Sequence, residues 1–435
     1  MQRKELSLVT RVVLTIFVSL PIFTDSAFAS HSLEKVIYNF QGAPDGSLPQ
    51  ASLIADQAGN LYGTTETGGT AACTCGTVFE LTPPATAGGA WAETVLYSFQ
   101  GGTSDGSEPS GTLVFDAVGN LYGTTLAGGN RKGTVFELSP PATAGGAWSE
   151  TVLLVFPGDG STGAGPFAGL TLDAAGNLYG TTLNGGGTST KCSGGCGTVF
   201  ELSPPATAGG AWTETVLYSF GVFIGDGIFP AGDLTFDGAG NLYGTTTTGF
   251  GNRGIVFQLV PNNGGWTENI LHQFVFTDGA LPAGRVLFKA RNLYGTTFDG
   301  GSVGVGVVFK LTEPAVPGHP WKETTLYNFT GGKDGANPAA GLIYDKAGNL
   351  YGTASEGGLR NSLSSNNGTV FELSPPAVSG GAWTENTLHE FGGKTYGDGT
   401  RPLGGLILPN GKFYGTSSSG GPNSAGMVYS VVIVP

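Results

Sequence analysis

The chain has 435 residues, 77 of them Gly, with 39% hydrophobic and 12% charged residues and a formal net charge of −13. That length is ample for a large core, the glycine and the scarcity of charge describe strands and turns rather than helices, and the apolar share excludes wholesale disorder. The acidic balance argues against nucleic acid and anionic membrane surfaces as partners and is compatible with cations, neutral sugars or basic partners.

Arg3, Lys4 and Arg11 form a basic start, Val12 to Phe23 an apolar run broken at Pro21, and Ala27-Phe28-Ala29 a small-x-small cleavage site. Residues 1–29 therefore read as a secretory signal peptide cut before Ser30, the apolar run being short for a membrane anchor. No other long apolar segment follows, so the mature chain is expected to be exported without a membrane span, and to be a monomer.

The rest, 30–435, is organised around Asn177-Leu178-Tyr179-Gly180-Thr181-Thr182. This run recurs at Asn60, Asn120, Asn241, Asn292 and Asn349, and in altered form at Lys412, with intervals of 51 to 64 residues. Seven copies predict one supersecondary unit repeated in a ring or stack. Within one unit, Gly169 to Asp173 reads as a short first strand ended by the Gly176 turn, and Asn177 to Thr182 as the second. Thr198 to Leu202 is the third, and Trp212 to Phe220, after Pro204-Pro205, the fourth. Short connections make the unit a four-stranded antiparallel meander. The fold class predicted is an all-β, seven-bladed β-propeller.

The two ends of the mature chain are complementary in phase. Leu33 to Phe40 matches a fourth strand and Gly426 to Val432 a third, so the last repeat lacks the outer strand that the first residues supply. The N-terminal strand is predicted to complete the seventh blade and close the ring, removing an open edge.

The repeated Asn-Leu-Tyr-Gly-Thr-Thr, Gly-Gly and Gly-Thr-Val-Phe-Glu-Leu runs resemble those of the GloVer (Gloeo/Verruco) tandem-repeat family of exported bacterial proteins, over nearly the whole mature chain. The resemblance implies an exported propeller and transfers no catalytic residue. Members often carry a C-terminal segment for surface anchoring, which Val431 to Pro435 does not resemble. Repeat five departs from the pattern, with Lys289-Ala290-Arg291 in place of the usual Asp-x-x-Gly turn.

Candidate sites divide into repeated and unrepeated residues. An Asp-Gly dipeptide precedes the first strand in each copy, at Asp45, Asp105, Asp159, Asp226, Asp278, Asp334 and Asp398. Seven carboxylates on one rim would suit a divalent cation such as calcium or sugar hydroxyls, while Asp-Gly is also ordinary turn chemistry. A structural need recurs in every blade, whereas a specific site is placed once. Unrepeated charge appears at the start of the first strand, where Ser52, Thr112, Gly169, Asp233, Arg285, Gly341 and Gly405 are equivalent. Asp233 and Arg285 are thus predicted at the channel mouth, as a polar wall for a ligand or as an interblade ion pair.

His272 and His389 replace the outer-strand Tyr of other blades, as in Tyr97 and Tyr218, and read as substitutions rather than a base or metal pair. Cys73 with Cys75, and Cys192 with Cys196, are expected to form local disulfides in an exported protein; a four-thiolate zinc site would need loops of non-neighbouring blades to meet. Trp91, Trp148, Trp212, Trp266, Trp321 and Trp383 open the outer strands, with Ser32 in the seventh place, and are assigned to blade packing. No His-Glu-x-x-His or Walker motif is present. The first functional expectation is a non-enzymatic scaffold binding carbohydrate or another cell-surface component, with no evident cofactor. The alternative is a propeller enzyme at the channel mouth, a polysaccharide lyase or hydrolase or a metal-dependent hydrolase.

Overall fold

The structure, a computed structural model, describes residues 31–434 apart from 71, 144, 188–191, 208, 250, 359–366 and 379. The signal-peptide reading of 1–29 lies outside the described residues. Seven small antiparallel sheets stand in a ring, two-stranded ribbons such as Gly46–Ser47 with Thr67–Gly68 join them at the corners, and the helices among the described residues are two single-turn 3-10 helices, Gly393–Thr395 and Pro409–Gly411. Among the described residues no helix is long and apolar enough to cross a membrane.

Blade three shows how the repeat folds. Thr171–Leu172, Leu178–Thr182, Thr198–Ser203 and Thr213–Ser219 pair in sequence order, each antiparallel to the next. Asn177 and Tyr179 recur because both hold the preceding turn. Asp173 Oδ1 accepts the Ala175 and Asn177 amides at 2.8 and 2.9 Å, and Oδ2 accepts Asn177 Nδ2 at 2.9 Å and the Tyr179 hydroxyl at 3.2 Å. In repeat five, Lys289 pairs directly with Asn292 across a two-residue turn in which Ala290 and Arg291 have φ of 48° and 61°. Arg291 Nε then reaches Glu313 Oε2 at 2.9 Å, across to the following strand.

The Gly of each second strand is required by packing. A Cβ on Gly180 would stand 2.7 Å from Phe200 Cζ and 3.0 Å from Leu170 Cδ2, and Gly63, Gly123, Gly244, Gly295 and Gly352 face the matching Phe of their own third strands as closely. Those phenylalanines are fully buried, and each is met edge-on by the last aromatic residue of the preceding blade's outer strand. Phe156 and Phe200 have ring centroids 5.4 Å apart, Phe220 and Phe257 5.1 Å, Phe329 and Phe371 5.1 Å. The outer strand carries a bulge in every complete blade, as between Val199 and Phe200 of the pairing register, which leaves Leu217 as an extra residue between Val216 and Tyr218. Adjacent apolar residues in one strand are thereby turned toward different neighbours.

The ring closes as the phase of the termini predicts. His31–Asn39 pairs antiparallel with Met427–Val434, from His31 opposite Val434 to Asn39 opposite Met427. Phe40 meets Phe79 of blade one at 5.0 Å, and Phe391 of blade six meets Tyr429 of blade seven at 4.9 Å, so the aromatic series runs unbroken through the closing blade. Polar bonds follow the same circuit: the second-strand hydroxyls of Thr124, Thr296 and Thr353 donate to the carbonyls of Ala168, Ala340 and Gly404 in the next blade, at 2.7 to 3.1 Å, and Thr416 donates to Ala51 at 2.8 Å.

Two stability predictions follow from this packing. Gly180→Ala places a methyl group against the fixed Phe200 ring and is expected to cost about 1–3 kcal/mol; denaturant melts should show that loss, and Phe200→Leu in the same chain should recover part of it. Deleting residues 30–40 removes a strand and the buried Phe40, whose loss alone is worth about 3–5 kcal/mol. Tm should fall sharply, and an unchanged Tm would refute the closure.

Candidate functional site

The first strands of all seven blades surround a cavity of about 300 Å³ on the ring axis. Ser52, Thr112, Asp233, Arg285, Gly341 and Gly405 line it, as their common position in the repeat predicts. The residue before each of them is Ala or Gly because the first strands approach one another closely: a Cβ on Gly111 would lie 2.7 Å from the Ala168 carbonyl carbon, and one on Gly404 2.5 Å from the Ala51 oxygen.

Asp233 and Arg285 do not pair with each other. Asp233 Oδ1 accepts the Gly169 amide of the preceding blade at 2.7 Å, and Arg285 Nε donates to Thr235 Oγ1, also on the preceding blade, at 3.0 Å. Ser52 makes the same backward bond, accepting the Gly405 amide at 2.8 Å. One carboxylate oxygen and the terminal guanidinium nitrogens are thus left facing a narrow, partly apolar space.

The repeated aspartates are elsewhere, and none lines the axial cavity. Asp45 accepts the Tyr38 hydroxyl at 3.0 Å, the Gln41 amide at 2.9 Å and the Gly46 amide at 2.7 Å. Asp105 and Asp334 hold Tyr97 and Tyr327 in the same way, each at 3.0 Å. Asp226 lies 3.4 Å from the Tyr218 hydroxyl and accepts the Val222 amide at 2.9 Å. Where the Tyr is replaced, His272 Nε2 lies 3.1 Å from Asp278 and His389 Nε2 3.4 Å from Asp398. Each of these carboxylates clamps the end of an outer strand to the turn after it.

Asp159 is not equivalent to the others. Gly163–Ala164 pairs with Asn184–Gly185 just as Gly46–Ser47 pairs with Thr67–Gly68, which puts Thr162, not Asp159, in the clamp position. Asp159 lies three residues earlier and bonds Ser161, its Oδ1 accepting the amide at 2.8 Å and the hydroxyl at 2.7 Å. Among the described residues no three His, Cys, Asp or Glu side chains converge in a group that could hold a metal ion.

A further ring was not singled out from the sequence. The residue before the Pro that leads into each first strand is left-handed in all seven blades: Leu48, Glu108, Gly165, Phe229, Leu281, Asn337 and Arg401 have φ between 55° and 66°. The conformation is imposed from both sides, since the Leu281 amide donates to Arg253 O at 2.9 Å while its carbonyl accepts the Phe298 amide at 3.1 Å. Identity changes from blade to blade although the Pro is constant, and that variability inside a fixed frame was the available signal. At the mouth near blades one and two, Gln50 bonds Glu66, whose carboxyl is raised by burial and by Glu108.

The cysteines pair locally, Cys73 with Cys75 and Cys192 with Cys196. The tryptophans pack on the second-strand Tyr of the preceding blade, Trp91 on Tyr414 at 5.8 Å and Trp212 on Tyr122 at 6.2 Å.

Residues 26–253 and 240–433 match the Gloeobacter/Verrucomicrobia repeat. The chain belongs to that repeat family. No curated protein matches it. Among solved structures, the calcium structure of a Trichoderma reesei carbohydrate-active enzyme of family AA12 aligns over 93% of this chain and 96% of its own, at 12% identity and a TM-score of 0.43. At that score the likeness bears on neither the site nor its chemistry.

In this Gloeobacter/Verrucomicrobia repeat chain a second carboxyl stands beside five of the clamps, two residues after the blade's Trp. Burial, with the neighbouring Asp45, Asp105, Asp226, Asp278 or Asp334 adding to it, pushes Glu93, Glu150, Glu268, Glu323 and Glu385 up to about 7. Their value in the unfolded chain is 4.5, so the folded state binds the extra protons. The contribution is fully present below the unfolded value and is lost as pH rises through 7. Asp173, Asp237 and Asp345, in which hydrogen bonds outweigh burial and hold the carboxyl low, act oppositely in more acid solution. Tm should therefore be higher near pH ~5 than near pH ~8, with Glu93→Gln reducing the difference; a higher Tm at the alkaline end would contradict the assignment.

Proposed function

We propose that the protein is an exported, non-enzymatic binding module that takes a saccharide or another polyhydroxylated surface component at the axial mouth. The observation that carries this reading is the pair Asp233 and Arg285, two unrepeated charges on a wall otherwise built of small or uncharged residues. Each is fixed by one bond to the preceding blade and keeps further hydrogen-bonding atoms for a ligand. Asp233 accepts from a hydroxyl, and Arg285 donates to a ring or carboxylate oxygen. A cavity of about 300 Å³ is at the lower end of the range for small-ligand sites, which fits one sugar residue or the end of a chain rather than a buried polymer. Local disulfides and a leader of secretory type support an extracellular setting.

The test is a glycan array probed with the mature protein beside Asp233→Ala and Arg285→Ala. Binding by the parent chain and loss of about tenfold or more in either variant, at unchanged Tm, is the expected result. A silent array, or variants that bind as the parent does, would remove the axial reading.

A further inference from the structure

The corner between blades two and three lacks both halves of the clamp that the other corners keep. The outer strand has Leu154 where the others have Tyr or His, and the turn has Thr162 where they have Asp. Both partners of the clamp have changed together at one place in the ring, and a cavity of about 600 Å³ opens there.

Arg131 and Lys132, adjacent cations in a strongly acidic chain, both border this cavity, together with Asp159, Thr162, Asn184 and Ser193. Asn130 and Arg131 are successive non-glycine residues in the left-handed region, at φ 62° and 66°, a conformation that costs free energy and is retained where the surroundings impose it. The Lys132 stem lies across Gly158, where a Cβ would fall 2.4 Å from Lys132 Cε, so glycine at 158 is what admits it. Thr162 Oγ1 is buried with no hydrogen-bond partner.

We infer that this corner is a binding site for an acidic saccharide of the uronate type. Arg131 and Lys132 take the sugar carboxylate in charge-assisted hydrogen bonds. Asp159, Asn184 and Ser193 take the hydroxyls, Asp159 by the carboxylate oxygen not engaged with Ser161. The same Asp159 disfavours a compact dianion such as inorganic phosphate, which would bring two charges against it and no hydroxyls to bond it. The site stands on observations separate from the axial cavity and does not depend on that reading.

Titration calorimetry of the mature protein carrying Asp233→Asn and Arg285→Gln, in which the axial site is silenced, with glucuronate, glucose and inorganic phosphate tests the inference. Glucuronate should bind, and the other two should bind at least about tenfold more weakly. Arg131→Gln with Lys132→Gln should weaken glucuronate by about tenfold or more. Leu154→Tyr with Thr162→Asp rebuilds the clamp of the other corners and should abolish binding with Tm retained or raised. The inference is overturned by no binding of glucuronate, by phosphate or glucose binding equally well, or by binding that survives loss of both cations. Should the clamp variant fail to fold, the variant at Arg131 and Lys132 decides the matter alone.

Discussion

Everything in this ring depends on one repeated contact: the aromatic residue that ends one blade's outer strand meets, edge-on, the aromatic ring at the centre of the next blade's third strand. The pair spans a blade boundary, and both rings are buried, so it works as core packing and as interface at once. Its geometry dictates the rest of the repeat. The ring of Phe200 occupies the space a side chain would take on Gly180, which is why the second strand carries Gly at its centre despite the entropic cost of glycine in a strand. The Leu of the first strand closes the same space from the channel side. A sequence that kept the Gly and lost the Phe would leave a void; one that kept the Phe and lost the Gly would force the sheet apart.

Blade seven shows what the contact tolerates. Tyr429 replaces Phe there, and its hydroxyl lies over Gly415, buried without a hydrogen-bond partner. An orphaned buried hydroxyl costs about 1–3 kcal/mol. The substitution sits in the blade assembled from both ends of the chain, where Met427–Val434 is held by the long N-terminal strand on one side and Phe413–Ser417 on the other.

The fold was legible because the packing unit repeats. Asn177, Tyr179 and Gly180 each have a local reason that any copy displays, and the phase of Leu33 to Phe40 against Gly426 to Val432 could be read without coordinates. The corners were less legible, since a loop can change length without disturbing the strands. Asp159-Gly160 looks like Asp45-Gly46, yet the turn in blade three is built so that Thr162-Gly163 takes the structural place. Only the pairing of Gly163 with Gly185 reveals the shift. The left-handed residues before proline were hidden for a different reason: their role lies in backbone direction, which side-chain identity at Leu48, Glu108 or Arg401 does not announce. The proximity of Glu93 to Asp45 was equally invisible, because it joins an outer strand to the corner of the blade before it, residues with no fixed separation along the chain.

Two kinds of asymmetry remain once the repeated needs are accounted for, and they have opposite origins. On the axis, Asp233 and Arg285 add charge to positions that elsewhere need only be small, so the frame is untouched and each new group is tethered by a bond to the blade before it. At the corner of blades two and three, Leu154 and Thr162 subtract a clamp that every neighbour keeps, and the space released is bordered by cations. The first kind is cheap, since the tether replaces no existing contact. The second gives up a part-buried tyrosine–carboxylate hydrogen bond and leaves Thr162 Oγ1 unsatisfied. A ring whose blade faces are locked by aromatic pairs can absorb that loss at one corner in seven, because the strands beneath it are held by packing that the corner does not share.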